Sequence, residues 1–409
     1  MSKIKIENFG PIKAGCIEND GWIDIKKVTL FIGNQGSGKS TVAKLISTFT
    51  WIEKAMVKGI LRQNEIDSKI KFEKRLDYLK LKNYLLDNTE ISYQGNAFGF
   101  QYKNGVLNAT KNDKNGYLLP KVMYVPAERS FLSVIDRPDK LKDLPAALYT
   151  FNDEYDGAKS KFSSGIELPI NNMKFVYDKS HKLAHIQGRN NGFKLRLSEA
   201  SSGFQSTVPL ILVTKYLAEG YYSEEDISKK ENSLQEQRQL ERDLKDILED
   251  KTLTPEVRHA LLRQLSEKRK PVCFINIVEE PELNLFPKSQ KEVLFSLVQH
   301  ANKDEGNKLI MTTHSPYFIN YLTLAVKAFN VNKSLTDSII IDKVSAIVPV
   351  ESTVNPDDLI IYQLDEATGT ITKLESYKGL PSDENYLNDS LGETNELFAQ
   401  LQQIEKGWQ

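Results

Sequence analysis

Residues 28–47 read VTLFIGNQGSGKSTVAKLIS: an apolar run, a glycine-rich turn, then a run with helical spacing. The first part is a short continuous apolar stretch of the kind that forms a buried strand, and TVAKLISTF continues as a helix. Between them Gly33-Asn34-Gln35-Gly36-Ser37-Gly38-Lys39-Ser40 has the spacing GxxxxGKS in the strand–loop–helix context that its chemistry requires. Glycines let main-chain N–H groups curl around a phosphate, and the helix N-terminus adds its positive dipole end. Lys39 would neutralise the β- and γ-phosphates of ATP. The Ser40 hydroxyl would ligate Mg²⁺, and Thr41 follows in the same helical turn.

A second stretch, FINIVEEPELNLFP (Phe274–Pro287), ends a short apolar strand on two adjacent carboxylates. Like charges at the end of a buried strand repel and are costly to desolvate unless a cation stands nearby. A nucleotide-bound Mg²⁺ supplies that cation. Glu279 is the candidate metal residue. Glu280, one position on, would position or deprotonate the attacking water.

Two further pieces fix the class. Ser201-Ser202-Gly203-Phe204-Gln205 precedes the apolar run TVPLILVTKYLA, and LIMTTHSP places His314 at the end of another strand. SSGFQ resembles the LSGGQ signature of ABC-type ATPases, with Ser202, Gly203 and Gln205 matching and Phe204 in place of the second glycine. His314 resembles the switch histidine of that class, which senses the γ-phosphate. The order P-loop, signature, acid pair, histidine is similar to the SMC/RecF/OLD branch of ABC ATPases. That resemblance implies an α/β ABC-type ATPase head: a P-loop sheet with helices, an antiparallel β subdomain and a short inserted helical hairpin. It also implies that the signature of one chain completes the ATP site of another, as a head-to-tail homodimer or a larger oligomer.

EEPELNLFP, IENFGPIKAG and VPAERS (125–130) resemble ATPase subunits of prokaryotic anti-phage systems of the PARIS and Septu types. In such systems the ATPase works with a separate effector, a nuclease or a toxin. A RecF-like DNA-maintenance ATPase and an ATP-stabilised scaffold with little turnover are the alternatives, and DNA is a possible partner. Arg129 in VPAERS is open to two readings, a contact to phosphate or signature loop and a salt-bridged structural arginine. Where many ABC proteins carry an aspartate after the signature-facing loop, this chain has Phe286-Pro287. That leaves the route of communication between two ATP sites open.

The rest of the chain sets limits. Lys+Arg 54 nearly balances Asp+Glu 55, so overall charge points to neither nucleic acid nor membrane. No apolar run approaches the roughly 20 residues that span a bilayer. Cys16 and Cys273 stand in apolar settings and read as free thiols of a reducing cytoplasm. No DxD occurs after residue 320, as a Toprim nuclease would need. Three segments are expected: 1–222 with P-loop and signature, 223–270 as an antiparallel helical hairpin, and 271–409 with acid pair and histidine. The hairpin's longer arm would reach about 40 Å at 1.5 Å per residue. Residues 41–86 read as helical, 130–170 as irregular, IIIDKVSAIVPV as an apolar strand-like run, and the tail from about 379 as polar and helical near its end.

Overall fold

The structure is a computed structural model that describes residues 1–112, 116–135, 144–188, 192–220, 271–334 and 338–407. The expected hairpin at 223–270 and most of the turn at Asn190-Asn191-Gly192 lie outside the described residues.

A seven-stranded sheet forms the centre, in the order β2 (Gly15–Cys16), β16 (Thr370–Lys373), β15 (Leu359–Leu364), β4 (Val28–Gly33), β14 (Lys308–Thr313), β13 (Cys273–Glu279), β8 (Pro120–Val125). From β15 to β8 every neighbouring pair is parallel. β4 is buried at all six positions, as a strand covered on both faces must be. Its side chains alternate between two cores. Val28, Leu30 and Ile32 face one, and Phe31 faces the other; Leu309, Met311 and Ile310 of β14 repeat the alternation.

On the Phe31 side lies a five-stranded antiparallel sheet: β3 (Ile23–Ile25), β1 (Ser2–Phe9), β5 (Leu85–Gln94), β6 (Phe98–Lys103) and β7 (Val106–Lys111). Helix α1 (Lys39–Val57) is pressed between the two sheets, and this explains burial on nearly all its faces. Phe49 of α1 stacks on Tyr93 with centroids 5.4 Å apart and also meets Phe72 of α2 (Lys69–Asp77). The opposite face of the central sheet carries α3 (Phe131–Val134), α4 (Ala146–Lys161), α5 (Ser202–Ala218), α6 (Pro287–Asn302) and α7 (Pro316–Ser334). A small sheet, β12 (Lys194–Arg196), β11 (Leu183–Gly188), β10 (Met173–Asp178) and β9 (Ile166–Glu167), packs on this side. The remaining elements are α8 (Ser338–Ser345), the ribbon β17 (Ser376–Tyr377) and β18 (Leu380–Pro381), and α9 (Tyr386–Gly407).

This is the α/β architecture expected of an ABC-type head, a P-loop sheet with helices and an antiparallel β subdomain. Strands from before residue 222 and after residue 271 interleave within one central sheet. Three local readings need correction. The helical stretch at 41–86 is broken: α1 stops at Val57, Gly59 adopts φ +73°, and β5 starts at Leu85. The stretch 130–170 contains α4, whose buried Leu148, Phe151, Tyr155 and Ala158 follow a helical stripe among Asn, Asp and Gly. IIIDKVS lies in helix α8, because a short apolar run fits either period and only its packing decides. Both cysteines are free and buried. Among the described residues no helix is long and apolar enough to cross a membrane.

Candidate nucleotide site

In a parallel sheet the strands end on one edge, and ligands sit in the crevice beyond it. Register here aligns Gly33 with Leu364, Ile32 with Thr313, Thr312 with Glu279, and Val278 with Val125. The glycine loop, His314, the acid pair and VPAERS therefore all emerge at one edge. β14 lies between the P-loop strand and the acid-pair strand, an order that the sequence does not reveal.

The loop's glycines are needed for conformation. Gly33, Gly36 and Gly38 have φ of +144°, +78° and +101°. At Gly33 a Cβ would also lie 2.3 Å from the Leu364 carbonyl oxygen. At Gly36 it would meet nothing within 4 Å, so this position is open to close approach by a ligand. Gly38 stands at the N-cap of α1 and leaves the first-turn N–H groups without a side-chain cap. The buried Lys39 ammonium donates to the carbonyls of Gly33 (2.9 Å) and Asn34 (2.7 Å). Burial brings its pKa down to about 8, against the pull of Glu280, Glu282 and Glu366. Asn34 donates to Glu366 at 2.8 Å and its own side-chain oxygen accepts the Gln35 N–H, which holds the loop's outer half. Ser37 and Thr41 are buried, Ser40 half-buried.

Glu279 is buried, and its Oε1 lies 4.0 Å from Lys44 Nζ. Glu280 is half-buried and takes φ +42°, a left-handed conformation uncommon outside glycine. Its carboxyl stands 3.7 Å from His314 Nε2. Burial raises the Glu280 pKa, with Glu279 adding to it and Lys39 opposing. The His314 pKa is lowered by burial and by Lys39, which favours the neutral ring.

Ser37 Oγ, Glu279 Oε1 and Thr312 Oγ1 are among the buried polar atoms that make no hydrogen bond to the described residues. Buried polar atoms are normally paired. Together with the open cradle at Gly36 they fit a triphosphate and its cation. Among the described residues no cluster of three or more His, Cys, Asp or Glu could hold a metal. A hydroxyl and one carboxylate, Ser40 and Glu279, suit Mg²⁺, which is usually bound through one or two carboxylates, water and phosphate oxygens.

The candidate signature residues stand apart from this cradle in character. Ser202 is exposed at the first position of α5. Gly203 packs on the loop after the acid pair: a Cβ there would lie 2.9 Å from the Asn284 carbonyl oxygen. Gln205 turns its amide inward, donating to Ser198 O at 3.0 Å, and Phe204 packs against the core. Sequence reading missed Glu282. Its carboxylate accepts the His314 N–H at 2.7 Å and ties the histidine turn to the acid-pair loop. The third acid of EEPE was the available signal.

A glycine-loop cradle, a strand-end acid pair and a histidine on one parallel edge are the arrangement of a P-loop ATPase site. Residues 256–319 match the family model described as AAA ATPase domain. Among solved structures, the SMC head domain from Thermotoga maritima aligns at 12% identity and a TM-score of 0.35, covering 92% of this chain and 98% of that one. A search of the curated proteins finds no match.

Proposed function

We propose that this chain hydrolyses ATP as one half of a self-associated, ABC-type pair, and that it controls a separate effector, a nuclease or toxin, in anti-phage defence. The observation that carries the ATPase reading is the convergence of Lys39, Glu279, Glu280 and His314 on one sheet edge, with buried orphan oxygens beside them. Residues 1–222 and 271–409 then form one head.

Within the site, main-chain N–H groups of residues 36–41 receive the phosphates, and Lys39 exchanges its carbonyl partners for phosphate oxygens. Glu280 accepts a proton from water, a role its raised pKa suits by making the carboxylate a stronger base. His314 holds the neighbouring position from which a neutral ring can donate to the γ-phosphate. Bound Mg²⁺, held by Ser40 and Glu279, would neutralise charge developing on the phosphate oxygens.

The defence role rests on the forms EEPELNLFP, IENFGPIKAG and VPAERS. It is tested by affinity purification from the native host followed by mass spectrometry. A stoichiometric nuclease or toxin is the expected result. Salt-sensitive DNA binding with no protein partner would move the reading to DNA maintenance. Nucleotide that survives purification unhydrolysed would make the chain an ATP-stabilised scaffold.

A further inference from the structure

Among the described residues Arg129 is one of the largest fully buried side chains, and its four hydrogen bonds to them all go to main-chain carbonyls. Nη1 donates to Glu279 O at 2.7 Å and to Pro126 O at 3.1 Å. Nη2 donates to Glu280 O at 2.8 Å, and Nε to Ser206 O at 3.1 Å. One guanidinium thus holds the backbone of both residues of the acid pair, the candidate metal ligand Glu279 and the candidate base Glu280, and the second turn of the signature helix. Burial lowers its pKa only to about 10, so the fork stays charged at neutral pH.

The same junction is reinforced from other directions. Pro209, inside α5, has no N–H to give to the Gln205 carbonyl four residues back; Ser133 Oγ donates to it instead at 2.8 Å. Ser206 Oγ donates to Leu283 O at 2.8 Å, and Gly203 admits the Asn284 carbonyl where a Cβ would not fit. The start of α5 and residues 279–284 are therefore one block, with Arg129 at its centre.

We propose that Arg129 is the positioning residue through which the two ATP sites of a dimer communicate. Resting on the ATPase reading above, the acid pair serves the chain's own nucleotide and the exposed start of α5 meets the partner copy's nucleotide. A rigid tie between them makes occupancy of one site alter the geometry of the other. It supplies the link that Phe286-Pro287 leaves open. Arginine suits the task because its planar fork presents donors in several fixed directions, which a lysine ammonium on a flexible stem cannot.

The test compares wild type with Arg129→Lys, which keeps the charge and loses the fork, and with the milder Ser206→Ala. Measured are ATP affinity, kcat, the Hill coefficient of hydrolysis and thermal stability. With two coupled sites the wild-type Hill coefficient should exceed 1 and approach about 2. In Arg129→Lys it should fall to about 1 with kcat down by about tenfold or more, while ATP affinity stays within about twofold, since the P-loop is untouched. Ser206→Ala should lower the Hill coefficient in the same direction. A lower melting temperature with kcat and Hill coefficient unchanged would make Arg129 purely structural and overturn the proposal. So would an unchanged Hill coefficient in Ser206→Ala if Arg129→Lys does not fold. A wild type that hydrolyses as a monomer, or not at all, overturns the ATPase-dimer reading itself before any variant is made.

Discussion

Glu280 Oε1 and His314 Nε2 stand 3.7 Å apart, on the ends of two adjacent parallel strands. The separation is longer than a hydrogen bond and short enough for both groups to address one small species between or beside them. Each is tuned by the same surroundings: burial raises the carboxyl's pKa and lowers the imidazole's. Both shifts weaken the two groups as an ion pair, and the first makes the Glu280 carboxylate a stronger base.

From this follows the expected behaviour of Glu280→Gln. The amide keeps the size of the carboxylate and cannot take a proton. ATP binding should persist, and kcat should fall about 10²–10⁴-fold, the usual contribution of a positioned general base. Isothermal titration and phosphate release measure the two separately. Turnover close to wild type would shift the base to Glu279 or His314.

The lowered pKa of Lys39 gives a pH dependence with a definite sign. The protonated ammonium is the phosphate-binding form. Below pH 8 it is already charged, so affinity for a non-hydrolysable ATP analogue should be flat there. Above pH 8 binding must be accompanied by proton uptake, and Kd should rise by about tenfold per pH unit at most. Glu280 is among the groups that hold this pKa up. Glu280→Gln should therefore move the onset of the rise to lower pH. A Kd that is constant from pH 7 to 9.5 would show that Lys39 is not the phosphate ligand.

Glu282 supports a separate expectation. Its carboxylate is the acceptor for the His314 N–H, and it links two loops that the candidate chemistry needs in fixed relation. Glu282→Ala removes that acceptor and leaves a half-buried N–H unpaired, a loss of about 1–3 kcal/mol of stability. Glu282→Gln keeps an acceptor oxygen and should recover most of it. Chemical denaturation measures the stability, and kcat should follow the same order while KM for ATP barely changes. Equal stability of all three proteins would mean that the bond contributes nothing.

Much of this could be read in the sequence because the informative residues are local. Gly33 to Ser40 are consecutive, and their chemistry requires a strand before and a helix after. The acid pair and His314 each end a short apolar run, so their exposure at strand ends was legible too. What could not be read was contact between distant segments. Nothing local to VPAERS says that Arg129 grips carbonyls 77 and 150 residues away. The order of strands in the central sheet is equally non-local. Helices α4 and α8 were missed because Asn, Asp and Gly obscure one stripe and consecutive isoleucines fit either period.

The last prediction concerns whether two copies share each site. Ser202 is exposed at the start of α5, so a bulky charge there should not disturb folding. Ser202→Arg should keep ATP binding through its own P-loop and lose hydrolysis, because it blocks the face offered to a partner. Lys39→Ala should lose ATP binding while keeping an intact signature. Neither homodimer then holds a working site. A mixed dimer does hold one: the P-loop of the Ser202→Arg chain faces the signature of the Lys39→Ala chain, as twofold pairing requires. Mixing the two should restore part of the wild-type ATPase activity. A dimer of wild type with Lys39→Ala is the control for whether a single competent site can fire. If that control is active and the Ser202→Arg/Lys39→Ala dimer forms yet stays silent, SSGFQ is not the signature. A wild type that is strictly monomeric and fully active at all concentrations would exclude the shared site.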